Sequence, residues 1–224
     1  MGTHNLATGR SLVRKFSSNL ASLPASQLSS PLSPPKYIYR FKSRVPDLIV
    51  MQLTRNDILR LFELLNNELS ETGTRGELFL VGGAVMCLAH GARASTRDVG
   101  AAFRPRAAVR QAAARVAHRL GIEPDWLNDG VKGFMSGQGD FAPFLELDHL
   151  RVMLAEPRYL LAMKSMAMRL GAESRDQDDV RFLLRLLDVR SFDEALGIIT
   201  KYYPLEQIPQ KTLYTLPELL PKQD

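Results

Sequence analysis

The longest apolar stretch of this chain, Leu78 to Ala89 (LFLVGGAVMCLA), carries two adjacent glycines in its middle. A stretch of this length falls short of the roughly 18 residues that begin to span a bilayer. Glycines let the backbone turn where a side chain would not. The segment therefore reads as a buried strand, LFLV, that ends at Gly82 and turns into a short helix over Ala84–His90, stopped by Gly91. A basic turn, Arg93 to Arg97, leads into a second strand, DVGAAF, that begins at Asp98. This strand opens Thr-Arg-Asp-Val, a context suited to another carboxylate two residues after Asp98, and Gly100 stands there instead.

The elements around this core alternate in type. Thr54 followed by Asp57 is a capping-box pattern, and Ile58, Leu61, Phe62 and Leu65 follow it at helical spacing. RAAVRQAAARVAHRLG predicts an alanine-rich helix with Gly121 as its stop. PDWLNDGVKGF predicts a short helix and turn, with Trp126 packed on the core, and FLELDHLRVML predicts one or two strands. Three helices follow, over Pro157–Leu170, Arg175–Leu187 and Ser191–Tyr203, and TLYTLPELL is a short amphipathic piece. Strands early and helices late give an α+β (mixed α/β) fold: a small sheet with flanking helices and a C-terminal helical half.

Charge separates the chain into two regions, 1–47 and 48–224. Residues 1–46 hold seven bases and no acid, which leaves 22 bases and 24 acids for the rest, a net of −2. The overall +5 is a property of the tail, so basicity is no argument for nucleic-acid binding by the whole body. The Ser- and Pro-rich composition of 1–47 predicts disorder. A flexible tail, an extension upstream of a start at Met51 and a targeting segment all fit it; the first two are favoured because a prokaryotic-type domain follows. The single Cys87 excludes an internal disulfide, suits a buried hydrophobe and is compatible with a cytoplasmic location. No membrane span is expected.

Three motifs in order carry a resemblance. Gly82-Gly83, then Asp98 in a Thr-x-Asp context, resembles the signature of the DNA polymerase β-like minimal nucleotidyltransferases. YLLAMK, ending at Lys164, and Arg175-Asp176-Gln177-Asp178-Asp179 resemble the lysine and basic-Asp-x-x-Asp motifs of AbiEii-type toxin nucleotidyltransferases; EPDWLNDGVKGF is similar to a segment of uncharacterised bacterial members. The similarity runs over about Leu53 to Pro204. It implies metal-dependent transfer of a nucleoside monophosphate from a nucleoside triphosphate, with Mg²⁺ or Mn²⁺, to an RNA (tRNA-like) or protein acceptor, in the setting of a toxin opposed by an antitoxin protein. In that family, two carboxylates on one strand face share two cations. By resemblance, Asp98, Lys164 and Asp176 are the catalytic candidates. Gly82, Gly83, Arg97, Lys164, Arg175 and Asp179 would hold the nucleotide. Asp98 would bind metal, with Glu146 or Asp148 as the further acid.

Gly100 departs from this pattern and leaves three outcomes: an inactive relative that binds nucleotide or a partner, a weak enzyme holding one cation, or an otherwise competent enzyme disabled at one position. Reduced or lost activity is favoured. Each motif also has a plainer reading. The glycines can serve the turn alone, Arg93 and Arg97 can be solvated turn residues, and Asp176 and Asp179 can be helix-start acids. His90, His118 and His149 lack metal-ligand spacing, and no nucleophile elbow or Walker loop occurs. The near-neutral body argues against tight nonspecific RNA binding; a local patch of Arg104, Arg106, Arg110 and Lys132 is the exception the sequence allows, and RNA binding there would weaken steeply with salt.

Overall fold

The computed structural model describes residues 52–169 and 175–221. The tail expected over 1–47, and Leu170 at the end of one expected helix, lie outside them. The chain is a mixed α/β fold. Its first elements are β1 (Leu53–Thr54), α1 (Arg55–Ser70), β2 (Gly76–Leu80), α2 (Gly82–Leu88), β3 (Ser95–Thr96) and β4 (Val99–Arg104). Next come α3 (Arg106–Leu120), β5 (Leu127–Asn128), a 3₁₀ turn (Gly130–Phe134), β6 (Phe141–Glu146) and β7 (Leu150–Ala155). The helical half is α4 (Pro157–Ala167), α5 (Asp176–Leu186), α6 (Phe192–Thr200) and α7 (Gln210–Leu219).

Local signals account for the helix ends. The Thr54 hydroxyl accepts from the Asp57 amide while the Asp57 carboxylate accepts from the Thr54 amide, so both orphan donors at the start of α1 are satisfied. Ser191 and Glu194 repeat the device at α6. Gly121 ends α3 at φ 63°, a left-handed conformation natural to glycine. Three acids in the first turn of α5 and Arg185 in its last complement the helix dipole.

The main sheet has the order β5-β4-β2-β7-β6. β2 pairs antiparallel with β4 (Leu80 opposite Ala101) and parallel with β7 (Leu80 opposite Leu154), while β6 and β7 form an antiparallel hairpin. Pro143 falls on β6 at the sheet edge, where its missing N–H breaks no inner ladder. PDWLNDGVKGF contributes a strand as well as a turn, because Leu127 and Asn128 pair with Val99 and Gly100.

Alternation divides the two sheet faces. Leu78, Leu80, Val99, Ala101, Phe103, Leu150, Val152 and Leu154 are buried beneath α1 and α3. A Cβ on Gly76 would lie 2.8 Å from Leu69 Cδ1, so the packed leucine would have to shift to admit one. Trp126 is fully buried and donates its indole N–H to the Ala113 carbonyl at 3.1 Å; Cys87 is a buried free thiol. The opposite face carries Phe79, Gly100, Ala102 and Met153; the 3₁₀ turn packs on β4 there, and Tyr159 of α4 meets Phe141 of β6. On this side Phe79, Phe141, Tyr159 and Tyr202 make a continuous chain of ring contacts. Among the described residues no helix is long and apolar enough to cross a membrane.

His90, just beyond α2, packs against the Phe182 ring of α5 at 6.0 Å, and its buried Nε2 has no hydrogen-bond partner among the described residues. Burial pushes its imidazole below the ordinary value of 6.5, so the native state keeps it neutral while the unfolded chain protonates. The stability it supports is complete above pH 6.5 and declines as pH falls below that value. His90→Phe should therefore show a shallower loss of urea midpoint than wild type on going from pH 7 to pH 5. Parallel profiles would refute this assignment.

Candidate functional site

The turn after β2 depends on both glycines. Gly82 sits at φ 69°, in the left-handed region. Gly83 lets a later loop fold back onto the turn, because a Cβ there would meet Thr96 Oγ1 at 2.6 Å and Arg93 Nη1 at 3.3 Å. The pair thus has a packing role that stands by itself, whatever it offers a phosphate.

Arg93, on the loop that Gly83 admits, reaches across to the helical half. Its Nε donates to Asp179 Oδ1 at 2.8 Å and its Nη2 to Asp179 Oδ2 at 2.6 Å, a two-pronged fork. Lys164, from α4, stands 2.6 Å from Asp179 Oδ2 and 3.5 Å from Asp176 Oδ1. Asp176 also accepts from the backbone amide of Arg169 at 3.2 Å and from its Nε at 3.0 Å. The three-residue spacing of Asp176 and Asp179 puts both on the face of α5 turned toward α4, and both are buried. Lys164, Asp176 and Asp179 therefore do come together. Beside them a cleft of about 230 Å³ is lined by Ala92, Arg93, Arg175, Asp178, Asp179 and Phe182.

The arginine that reaches Asp179 is Arg93, 86 residues from it in sequence, and no local pattern singles it out. Arg97, the sequence candidate, is exposed on the turn before Asp98. Arg175 lines the cleft from the start of α5 and is exposed.

Asp98 lies just ahead of β4 and is exposed. Its Oδ2 accepts from Asn128 Nδ2 at 2.6 Å, and Asn128 Oδ1 accepts from the Gly130 amide at 3.2 Å. Gly100 has the same strand parity, so a side chain there would point to the same face. That space is taken: a Cβ on Gly100 would lie 2.8 Å from Val131 Cγ1 of the 3₁₀ turn. The segment bearing Val131 is lashed down. Tyr203 donates to the Phe134 carbonyl, and the Ser136 amide donates to Tyr159 Oη at 2.9 Å. Tyr202 Oη and Lys201 Nζ both donate to Asp140 Oδ2 at 2.7 Å. Burial, then the Asp140 hydrogen bond, pushes the Tyr202 phenol up to about 12, so it stays a donor at any ordinary pH. Gly139 is pressed so close to Tyr159 that a Cβ would lie 2.5 Å from its ring.

Glu146 and Asp148 are not brought to Asp98. Glu146 pairs with Arg75 and with Arg151 at 3.1 Å, and the exposed Asp148 sits in the hairpin turn whose His149 carbonyl accepts from Gly76. That is the start of β2, whereas Asp98 flanks its end; at ~3.3 Å per residue the strand alone separates them by roughly 13 Å. Among the described residues no group of three or more His, Cys, Asp or Glu is placed to hold a metal ion. Among the described residues, the carboxylates do not gather into a two-cation centre at Asp98. No known protein family, curated protein or solved structure matches the chain.

The cluster sets different costs for different acids. Asp179→Ala would take a buried carboxylate from the partly buried Arg93 and leave Lys164 with Asp176 alone, and a loss of about 3 kcal/mol is expected. Glu146→Ala removes only exposed pairs and should cost under ~0.5 kcal/mol. Urea unfolding of the two variants checks this; equal losses would mean that the clasp is not what joins the two halves.

Proposed function

We propose that this chain is a nucleotidyltransferase-type domain that has lost metal-dependent transfer and works as a binding module. The observation that carries the reading is the Val131 methyl packed against Gly100, where the motif calls for the second carboxylate. Asp98 keeps its place in the motif, but its carboxylate is held by the Asn128 amide. The resemblance to the toxin-related group rests on the ordered motifs, and the clustering of Lys164 with Asp176 and Asp179 supports treating those motifs as one unit. In this reading Lys164 and Arg93 serve the fold through Asp179, and Arg175 is the cation left facing the cleft.

Restoring the acid requires clearing its seat, so the informative variant is Gly100→Asp combined with Val131→Ala. Wild type, the double variant and the double variant with Asp98→Ala are incubated with α-labelled nucleoside triphosphates, Mg²⁺ or Mn²⁺, and total RNA. Wild type is expected to transfer no label above background, the double variant to gain at least tenfold, and Asp98→Ala to abolish the gain. Label transfer by wild type that depends on Asp98 would refute the lost-activity reading. Silence from the double variant, with native circular dichroism, would refute the nucleotidyltransferase origin.

A further inference from the structure

The 24 residues from Val99 to Ile122 contain five arginines, one histidine and no acid. α3 occupies most of this stretch. Its apolar side, Val109, Ala112, Ala113, Val116 and Ala117, is buried on the sheet. At roughly 100° per residue the outward arc places Arg106 and Arg110 on one flank and Arg115 and Arg119 on the other. Ala107, Gln111, Ala114 and His118 run between them; all but Ala108 of the adjoining residues on this arc are exposed.

Both arginine pairs are anchored by too few acids. Asp129 accepts from Arg106 and Arg110 at 2.7 Å each and lies 3.0 Å from Lys132 Nζ, so three cations share one carboxylate. Lys132, then Arg106, holds its carboxyl down at about 2, so it stays charged at any working pH. The buried Glu68 of α1 accepts from Arg115 Nε at 2.6 Å and from Arg119. The surplus is two charges at the first anchor and one at the second, +3 in all. The body is net −2, so this excess stands out against a remainder of formal charge −5. Arg104, expected in the same patch, belongs elsewhere: it pairs with Glu77 and lies over the Phe79 ring.

We propose that the outward face of α3, with Lys132, is a contact surface for the phosphodiester backbone of a nucleic acid. All four flanking cations of the helix are arginines, whose guanidinium fork matches phosphate oxygens and offers five N–H donors each. Their side chains remain 43–58% exposed although one edge is pinned, so the charges are presented in fixed positions. From Arg106 to Arg119 the helix advances ~20 Å, about six nucleotide steps of one strand. A membrane surface is the poorer match, since the exposed midline offers only Ala107, Gln111, Ala114 and His118 and nothing large and apolar to insert. This deepens the binding-module reading by naming its partner.

The test uses the full chain, without nucleotide or divalent metal, so that it is independent of the transfer assay. Fluorescence anisotropy follows a labelled 20-nucleotide RNA and its DNA counterpart from 50 to 300 mM KCl, with phosphatidylglycerol vesicles as a third arm. Arg106→Gln/Arg110→Gln should weaken binding about tenfold at 100 mM KCl and flatten the log-log salt slope by about 1–2. Gln111→Glu/Ala114→Glu, which breaks no native pair, should weaken it at least as much, and Lys211→Ala should change nothing. The basic tail is common to all these proteins, so the difference between them reports on α3. Equal loss on RNA and DNA supports backbone contact, and loss confined to RNA supports it with added ribose contacts. Wild-type affinity in both double variants, or a loss seen only on vesicles, overturns the proposal; neither outcome bears on label transfer.

Discussion

One buried carboxylate, Asp179, ties the sheet to the helical half. It receives the Arg93 fork from the loop behind the glycine turn and Lys164 from α4, while its own helix, α5, packs on α4. Burying such charges costs several kcal/mol of hydration per ion, and the pairing does little more than offset that cost. Its value is directional. Hydrophobic packing alone tolerates small slides of one layer over another, whereas a two-pronged guanidinium–carboxylate contact accepts only one arrangement. Gly83 is part of this arrangement, because any side chain there would push Arg93 and Thr96 away.

A second fastening acts on the other side of the sheet. Tyr159, Tyr202 and Tyr203 hold residues 134–140 by hydrogen bonds to a backbone amide, a carboxylate and a carbonyl. Held there, the preceding 3₁₀ turn presses Val131 onto Gly100. Glycine in the middle of a strand weakens it, and here it has a cause: close approach of another segment. The absence of an acid at position 100 and the presence of the valine are therefore one structural fact. A side chain at position 100 would require Val131 to shift.

Much of the fold follows from short-range patterns. The capping box at Thr54 and the Gly121 stop each act within a few residues, and each lies where the sequence places it. The Leu127–Asn128 strand escaped notice because two residues have no period; they are strand only because β4 is there to pair with. At the site, Lys164, Asp176 and Asp179 were legible from helical spacing and motif order. Arg93 was not, because its partner is 86 residues away and a basic turn residue is ordinarily solvated. The distance of Glu146 and Asp148 from Asp98 has a related cause: strand alternation tells which face an acid takes but not which end of the sheet it occupies.

The same residue chemistry has opposite consequences in two parts of the molecule. In the buried cluster, Arg93 and Lys164 reach Asp179 while Lys164 and Arg169 reach Asp176, so both carboxylates are engaged from within the chain. A phosphate entering there would have to compete with carboxylates already at 2.6–3.5 Å. On α3 the ratio is three to one at Asp129 and two to one at Glu68, so the anions position the arginines without neutralising them. Such an excess persists at the surface only where something beyond the fold can use it or solvent can screen it, and screening leaves the field intact within about 10 Å at ordinary salt. The excess on α3 is therefore open to an outside anion in a way that the buried carboxylate cluster is not.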